Sequence, residues 1–341
     1  MRVGLLTGGG DVPGLNAAIR AVVKVGEGRH GWSIVGFRNG WQGLAEGNIM
    51  PLGRQNIRNV LSVGGTMLGT ARFHPRVSDG SMEDVHATIE AERLDALIVI
   101  GGDGTLHAAN KVAETGVKIV GIPKTIDNDV WGTERSIGFD TAVTIATDAV
   151  DRIHTTAESH NRVMLVEVMG RHAGWLAATA GIAGGAEVIL TPERPFDIDQ
   201  VVRQLKHRHR AHASFSIIVV AEGAEPAKGT SMSYQTELGQ FGEIIAGSVS
   251  ERLRVEIAER TGFDARVTVL GHTQRGGSPT AADRILATRF GVAAVQALRE
   301  GHTGVMTALQ AGEIRLLPLA EVAGKVQYVP DALLDVATIL A

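Results

Sequence analysis

Asp127 and Asp129 stand two residues apart in the run Pro123-Lys124-Thr125-Ile126-Asp127-Asn128-Asp129. On a locally extended backbone, side chains two apart point the same way, so the carboxylates share a direction beside the cation of Lys124 and the hydroxyl of Thr125. Such a set can take a proton and stabilise developing negative charge, as transfer of a phosphoryl group to an alcohol requires. Turn formation is the plain alternative for either Asp. A second loop, Gly101-Gly102-Asp103-Gly104-Thr105, places a carboxylate among glycines, where it can hold Mg2+ against phosphate oxygens or close an Asx turn. Glycines 8, 9, 10 and 14 form a third loop, whose backbone N–H groups can face an anion. Gly8, Gly10 and Gly14 also fit a loosened dinucleotide fingerprint.

These loops need elements to present them. Apolar, β-rich runs at 3–7, 94–100, 117–122, 163–168, 216–221 and 267–270 each stop at a glycine or charged cluster. Segments 16–25, 106–114, 141–155 and 174–182 read as helices. This alternation predicts a mainly parallel sheet, with ligands outside the carboxyl ends of its strands. In chain order the strand ends deliver glycines, Asp103, then Lys124 with Asp127 and Asp129, Arg171, Glu222, and finally His272 with Arg275. Arg72, Arg162, Arg171, Arg266 and Arg275 adjoin predicted strand ends or glycine turns, and guanidinium forks suit phosphate. Five around one cleft exceed the needs of one donor and point to a second phosphate on the acceptor. Glu222 and His272 can hydrogen-bond sugar hydroxyls and that phosphate. The polar stretch 224–241 interrupts the alternation and reads as an exposed connection or lid.

Composition sets the limits. With 341 residues, 44% hydrophobic and 21% charged, the chain is long enough for two domains. A formal charge of -4 and a pI near 6.3 give no reason to expect nucleic acid or a membrane surface as partner. No run of about 20 apolar residues occurs, so neither a membrane span nor export is expected. The absence of cysteine excludes disulfides, thiolate metal sites and a cysteine nucleophile, and a cytoplasmic location fits best.

Six motifs taken together resemble the bacterial-type 6-phosphofructokinases. They are Gly9-Gly10-Asp11 with Pro13-Gly14-Leu15-Asn16, Gly69-Thr70-Ala71-Arg72-Phe73, residues 101–105, 123–129, 166–171, and 271–279. The resemblance runs from the first strand to at least Arg289. It implies two similar three-layer α/β domains with mainly parallel sheets and the active site in the cleft between them. Residues 1–138 with about 275–305 would form the nucleotide domain, and 139–274 with about 306–341 the fructose 6-phosphate domain. The implied reaction is transfer of the γ-phosphoryl of Mg-ATP to the 1-hydroxyl of fructose 6-phosphate, a step of glycolysis. Asp127 would be the proton acceptor, with Thr125, Arg171 and Lys124 around the transferring group, Asp103 the Mg2+ ligand, and Asp129 a support for metal or loop. Gly10, Arg72, Phe73, Gly102, Asp103, Gly104 and Thr105 match nucleotide positions. Thr125, Ile126, Asp127, Arg162, Met169, Gly170, Arg171, Glu222, Arg266, His272, Thr273, Gln274 and Arg275 match the sugar-phosphate site. Arg162 and Arg266 would complete a neighbouring subunit's site, implying a homotetramer or homodimer.

Two departures bear on donor and regulation. Lys124 matches pyrophosphate-using relatives, whereas Gly104 matches ATP users. The resemblance favours ATP, because an Asp at 104 would fill nucleotide space while a long lysine could swing aside; pyrophosphate is the alternative donor. Around the effector site, Arg20, Arg54 and Glu187 keep the pattern, but Lys24 and His154 replace arginines, so altered effector control is expected. Two rivals remain. A nicotinamide-dependent oxidoreductase would use Gly8, Gly10 and Gly14, with Arg38 on a 2′-phosphate, but leaves the Asp loops unexplained. A non-catalytic sensor would have no need of the carboxylates and lysine.

Overall fold

The structure, a computed structural model, describes residues 1–230, 232 and 248–339. Most of the expected lid, residue 231 and residues 233–241, lies outside the described residues. The chain forms two compact units, Met1–Thr141 with Arg275–Gln327, and Ala142–Gln274 with Tyr328–Ala341.

In the first unit, β1 (Arg2–Thr7), α1 (Leu15–His30), β2 (Ser33–Phe37), α2 (Gly40–Ala45), β3 (Ile49–Leu52), α3 (Ser81–Ala91), β4 (Ala96–Gly101), α4 (Asp103–Glu114) and β5 (Ile119–Pro123) follow in order. The next helix, α5 (Phe139–His160), begins in this unit and continues in the second. Every residue of β4 and β5 is buried, as expected of continuous apolar strands covered on both faces. On one face Leu6, Val35, Phe37, Leu97, Val99 and Ile119 pack in one core with residues of α2, α3 and α4. The alternate residues Leu5, Ile98, Ile100 and Val120, also fully buried, point to the other face.

The second unit runs β6 (Val163–Val168), α6 (Trp175–Ala183), β7 (Val188–Leu190), α7 (Ile198–Arg210), β8 (Ser216–Ala221), α8 (Val249–Thr261) and β9 (Ala265–Val269). Its four-stranded sheet has the order β7-β8-β6-β9, all parallel. Buried Glu167 on β6 accepts hydrogen bonds from Ser248 Oγ, and from Ser250 N and Oγ at 3.1 and 2.5 Å, tying the start of α8 to the central strand.

The chain then returns to the first unit with α9 (Ala281–Arg299), β10 (Val305–Gln310), β11 (Glu313–Pro318) and α10 (Leu319–Val322), and ends with α11 (Asp331–Ile339) in the second. α9 lies against α1, and Gly291 makes the approach possible, since a Cβ there would come within 2.7 Å of Ala21 Cβ. β10 pairs in parallel with β5 (Val305 opposite Val120), and β11 antiparallel with β10, giving the order β11-β10-β5-β4-β1-β2-β3. The boundary expected from sequence is therefore corrected. Residues 306–327 belong to the first unit, because β10 extends its sheet and buries Met306 and Ala308, and only Tyr328–Ala341 joins the second. Among the described residues both units are built on parallel β-α units, with antiparallel strands only at the edges of the first unit's sheet, and the sheets have seven strands and four. Among the described residues no helix is long and apolar enough to cross a membrane.

Candidate active site

β1 and β4 are neighbours, yet the chain leaves them toward opposite edges of the sheet. Outside the carboxyl ends of such a pair lies the crevice that open α/β sheets use for ligands. Gly8 N–H bonds Ile100 O at 2.9 Å and closes the two ends together. α4 begins at Asp103 with Gly102 as N-cap and no side-chain cap, so its first amides and the positive end of its dipole are available to an anion. Asp103 Oδ1 accepts from Gly324 N–H at 3.2 Å. No cluster of three ligating side chains occurs among the described residues. Mg2+, however, uses one or two carboxylates and takes its remaining oxygens from phosphates and water, so one carboxylate at a phosphate-binding helix end fits it.

Thr105 is 2% exposed and packs where Cβ atoms on Gly8 and Gly101 would come within 2.7 and 2.3 Å of it. Its side chain locks the two loops together, so only its backbone is left for the nucleotide contact expected of it. Arg72 is exposed, and Phe73 packs against the core. Beside Gly104 lies His74, whose imidazole pKa is pushed down by burial, Arg76 and His107, with Asp103 opposing. Sequence reading assigned no role to Asn16. Its Nδ2 donates to Val63 O at 3.0 Å and its Oδ1 accepts from Met67 N–H at 2.8 Å, so it shapes the segment that carries Arg72. The only hint was its place in the 13–16 motif.

Beyond β5 the loop is held at several residues. Lys124 N–H bonds Gly101 O at 2.9 Å and Thr125 N–H bonds Ile137 O at 3.2 Å. Asn128 adopts φ 53°, a left-handed conformation that Asn tolerates. Its Oδ1 accepts from Ser136 N–H at 2.9 Å, and Ser136 Oγ donates to Thr125 O at 2.7 Å. Within this frame Asp127 is 8% exposed, its N–H on Thr125 Oγ1 at 3.2 Å. Its Oδ1 is buried with no hydrogen-bond partner, a costly arrangement for a buried polar atom. Ile126 is fully buried, so only its backbone can meet a substrate.

Lys124 does not behave as the mobile arm expected from sequence. It is 2% exposed, with Nζ donating to Gly10 O at 2.6 Å. Burial, with Arg275 adding, pushes its pKa down to about 7 against the pull of Asp127, Asp11 and Asp129. Between about pH 7 and its unfolded value of 10.5, the unfolded chain holds a proton that the folded chain lacks. Stability from this group therefore rises with pH across that window. Urea melts at pH 7 and pH 9 should show the wild type gaining relative to Lys124→Met as pH rises.

Arg275, expected on the acceptor side, lies against the glycine loop. A Cβ on Gly10 would be 2.1 Å from its Nη1, Nη1 donates to Asp11 O at 3.3 Å, and Nε is buried without a partner. Gly10 thus lacks a side chain because a guanidinium occupies that space.

In the second unit the loop after β6 carries Met169, Gly170 and Arg171. Arg171 has φ 55°, a conformation costing roughly 1–2 kcal/mol for a side-chain-bearing residue. Its N–H donates to Glu222 Oε1 at 2.9 Å, and a Cβ on Gly223 would strike its carbonyl oxygen at 2.0 Å, so the loop is locked. His272 and Thr273 are exposed on the short turn Gly271–Arg275. Gln274, expected at the acceptor site, is 0% exposed, with Nε2 on Gly271 O and Oε1 buried without a partner. Arg162 and Arg266 sit at the opposite, amino ends of β6 and β9, both ion-paired with Asp264 at 2.7 and 2.8 Å. The Arg162 hydrogen bond leads in holding that carboxyl below its usual range. At about 3.3 Å per strand residue, β6 separates them from Arg171 by roughly 20 Å. Glu187, expected at the effector site, is taken up by Arg208 at 2.6 Å and Ile217 N–H at 2.6 Å.

A family model described as Phosphofructokinase matches residues 2–298. The chain is 53% identical over 330 residues to a protein of Amycolatopsis methanolica named pyrophosphate–fructose 6-phosphate 1-phosphotransferase, covering 97% of this chain and 96% of that one. It is 52% identical over 336 residues to a protein of Mycobacterium tuberculosis named ATP-dependent 6-phosphofructokinase, covering 98% of each. The solved phosphofructokinase of Pichia pastoris in the T-state superposes with a TM-score of 0.83 at 35% identity, over 94% of this chain and 35% of that longer one. With most of the motif loops at the carboxyl ends of parallel strands and a family match over most of its length, the chain belongs to the phosphofructokinase family.

Proposed function

We infer that this chain transfers the γ-phosphoryl group of Mg-ATP to the 1-hydroxyl of fructose 6-phosphate, giving fructose 1,6-bisphosphate and ADP. The observation that carries this reading is the unpartnered Oδ1 of Asp127, on a braced loop in the same unit as the uncapped end of α4. Asp127 takes the hydroxyl proton as the sugar oxygen forms its bond to phosphorus, and the bond to the ADP oxygen breaks in line. Lys124, Thr125 and Arg171 cover the charge of the transferring group. Asp103 would hold Mg2+, which when bound neutralises phosphate charge.

Exposed Gly104 supports ATP, since no side chain closes the space beyond Asp103. Lys124 favours pyrophosphate as a second reading, and the Amycolatopsis relative bears that name. A coupled assay with fructose 6-phosphate and Mg2+, run in parallel with ATP and pyrophosphate, decides; no fructose 6-phosphate-dependent turnover with either donor overturns the reading. Lack of cysteine supports a cytoplasmic location for this activity.

The separation of Arg162 and Arg266 from Arg171 supports a shared site, in which these two arginines serve the acceptor phosphate of an adjoining subunit in a homotetramer or homodimer. Arg162→Ala and Asp127→Asn proteins should each be nearly inactive. Unfolded together and refolded, they should recover up to about a quarter of wild-type activity, because one mixed site regains both residues. Unmixed levels after co-refolding would exclude sharing.

A further inference from the structure

We propose that His74 is a donor-specificity residue, whose imidazole borders the space left by Gly104 and hydrogen-bonds the portion of the donor that ATP has and pyrophosphate lacks. The proposal deepens the reading of the donor loop given above and rests on it. Gly104 is the second residue of α4 and is exposed. A Cβ there would come within 3.1 Å of His74 Nε2 and 3.3 Å of Cε1, so the ring forms one wall of the space. His74 Nδ1 is buried with no hydrogen-bond partner. Nδ1 is therefore turned away from the space, and Nε2, the nitrogen nearest Gly104, is the one a donor would meet. No internal hydrogen bond sets the ring's position. Phe73, packed on the core, and buried Pro75 fix the backbone on either side, presenting the imidazole from a rigid segment.

The order of groups along α4 gives the chemistry. On the donor reading given above, Asp103 and the first amides would serve the phosphates nearest the reaction, and the space at Gly104 would take the part by which a longer donor extends further. A neutral imidazole supplies one N–H donor and one acceptor: the N–H can donate to an α-phosphate oxygen, and a ribose hydroxyl can meet the nitrogen in either form. A donor that ends after two phosphates does not extend that far, so the contact discriminates by affinity difference.

Calorimetric titration of the intact protein with MgADP and with Mg-pyrophosphate tests this without requiring turnover. His74→Ala should weaken MgADP about fivefold, the worth of one neutral hydrogen bond, and leave pyrophosphate within about twofold. His74→Gln, which keeps an amide near the Nε2 position, should recover most of the loss, and its thermal midpoint serves as the folding control. Unchanged MgADP affinity in both variants, or an equal loss for both ligands, overturns the assignment. Absence of fructose 6-phosphate-dependent turnover in the wild type would overturn the proposed activity instead, and the binding data would still decide on His74.

Discussion

Asp127→Asn lowers kcat by about 10²- to 10⁴-fold, the usual contribution of a positioned general base. KM for fructose 6-phosphate stays within about twofold, as expected when only a transition-state interaction is removed. The change keeps the shape of the side chain, and the bond from the residue's own N–H to Thr125 Oγ1 is untouched. The Asn128 and Ser136 braces hold the loop without help from the Asp127 carboxylate. With those braces in place, the thermal midpoint should stay close to that of the wild type. Steady-state kinetics with varied acceptor, beside a thermal melt, checks each part. If acceptor affinity collapses while turnover persists, Asp127 binds the sugar and another group takes the proton.

The sequence predicted the main strands well because their signal is local. Runs 94–100 and 163–168 became Ala96–Gly101 and Val163–Val168, both buried on two faces and therefore continuously apolar. Edge elements carried no such mark. β3 contains Pro51 and is largely exposed, and β11 alternates around a charged residue at the sheet margin, so both escaped notice and the domain boundary moved with β10. Residue types at the site were legible, but their duties were not always so. Asn16 acts on a residue 51 positions away, and Arg275 on a carbonyl 264 away. Burial decided the rest: the side chains of Thr105 and Gln274 look ligand-facing in a motif but pack inward, and Lys124 is held at the site by Gly10 O rather than free to swing. Only the three-dimensional path of the chain sets those distances.

Gly104→Asp should lower kcat/KM for ATP by about 100-fold or more, roughly 3 kcal/mol, and that for pyrophosphate by less than about tenfold. Two costs combine. The new Cβ, 3.1 Å from His74 Nε2, makes the imidazole give way and so removes the contact proposed above. The carboxylate also brings a second negative charge next to Asp103, where ATP extends and pyrophosphate does not, so repulsion falls on one donor. Because Gly104 and His74 share one space, their effects should not add. Gly104→Asp with His74→Ala should be no worse for ATP than Gly104→Asp alone, since the contact is already lost, and relief of crowding could return part of the rate. Parallel assays of the single and double variants with both donors measure this. Equal losses for the two donors would mean that position 104 governs the phosphates common to both, and the donor preference would then have to come from Lys124, whose Nζ already donates to the Gly10 carbonyl.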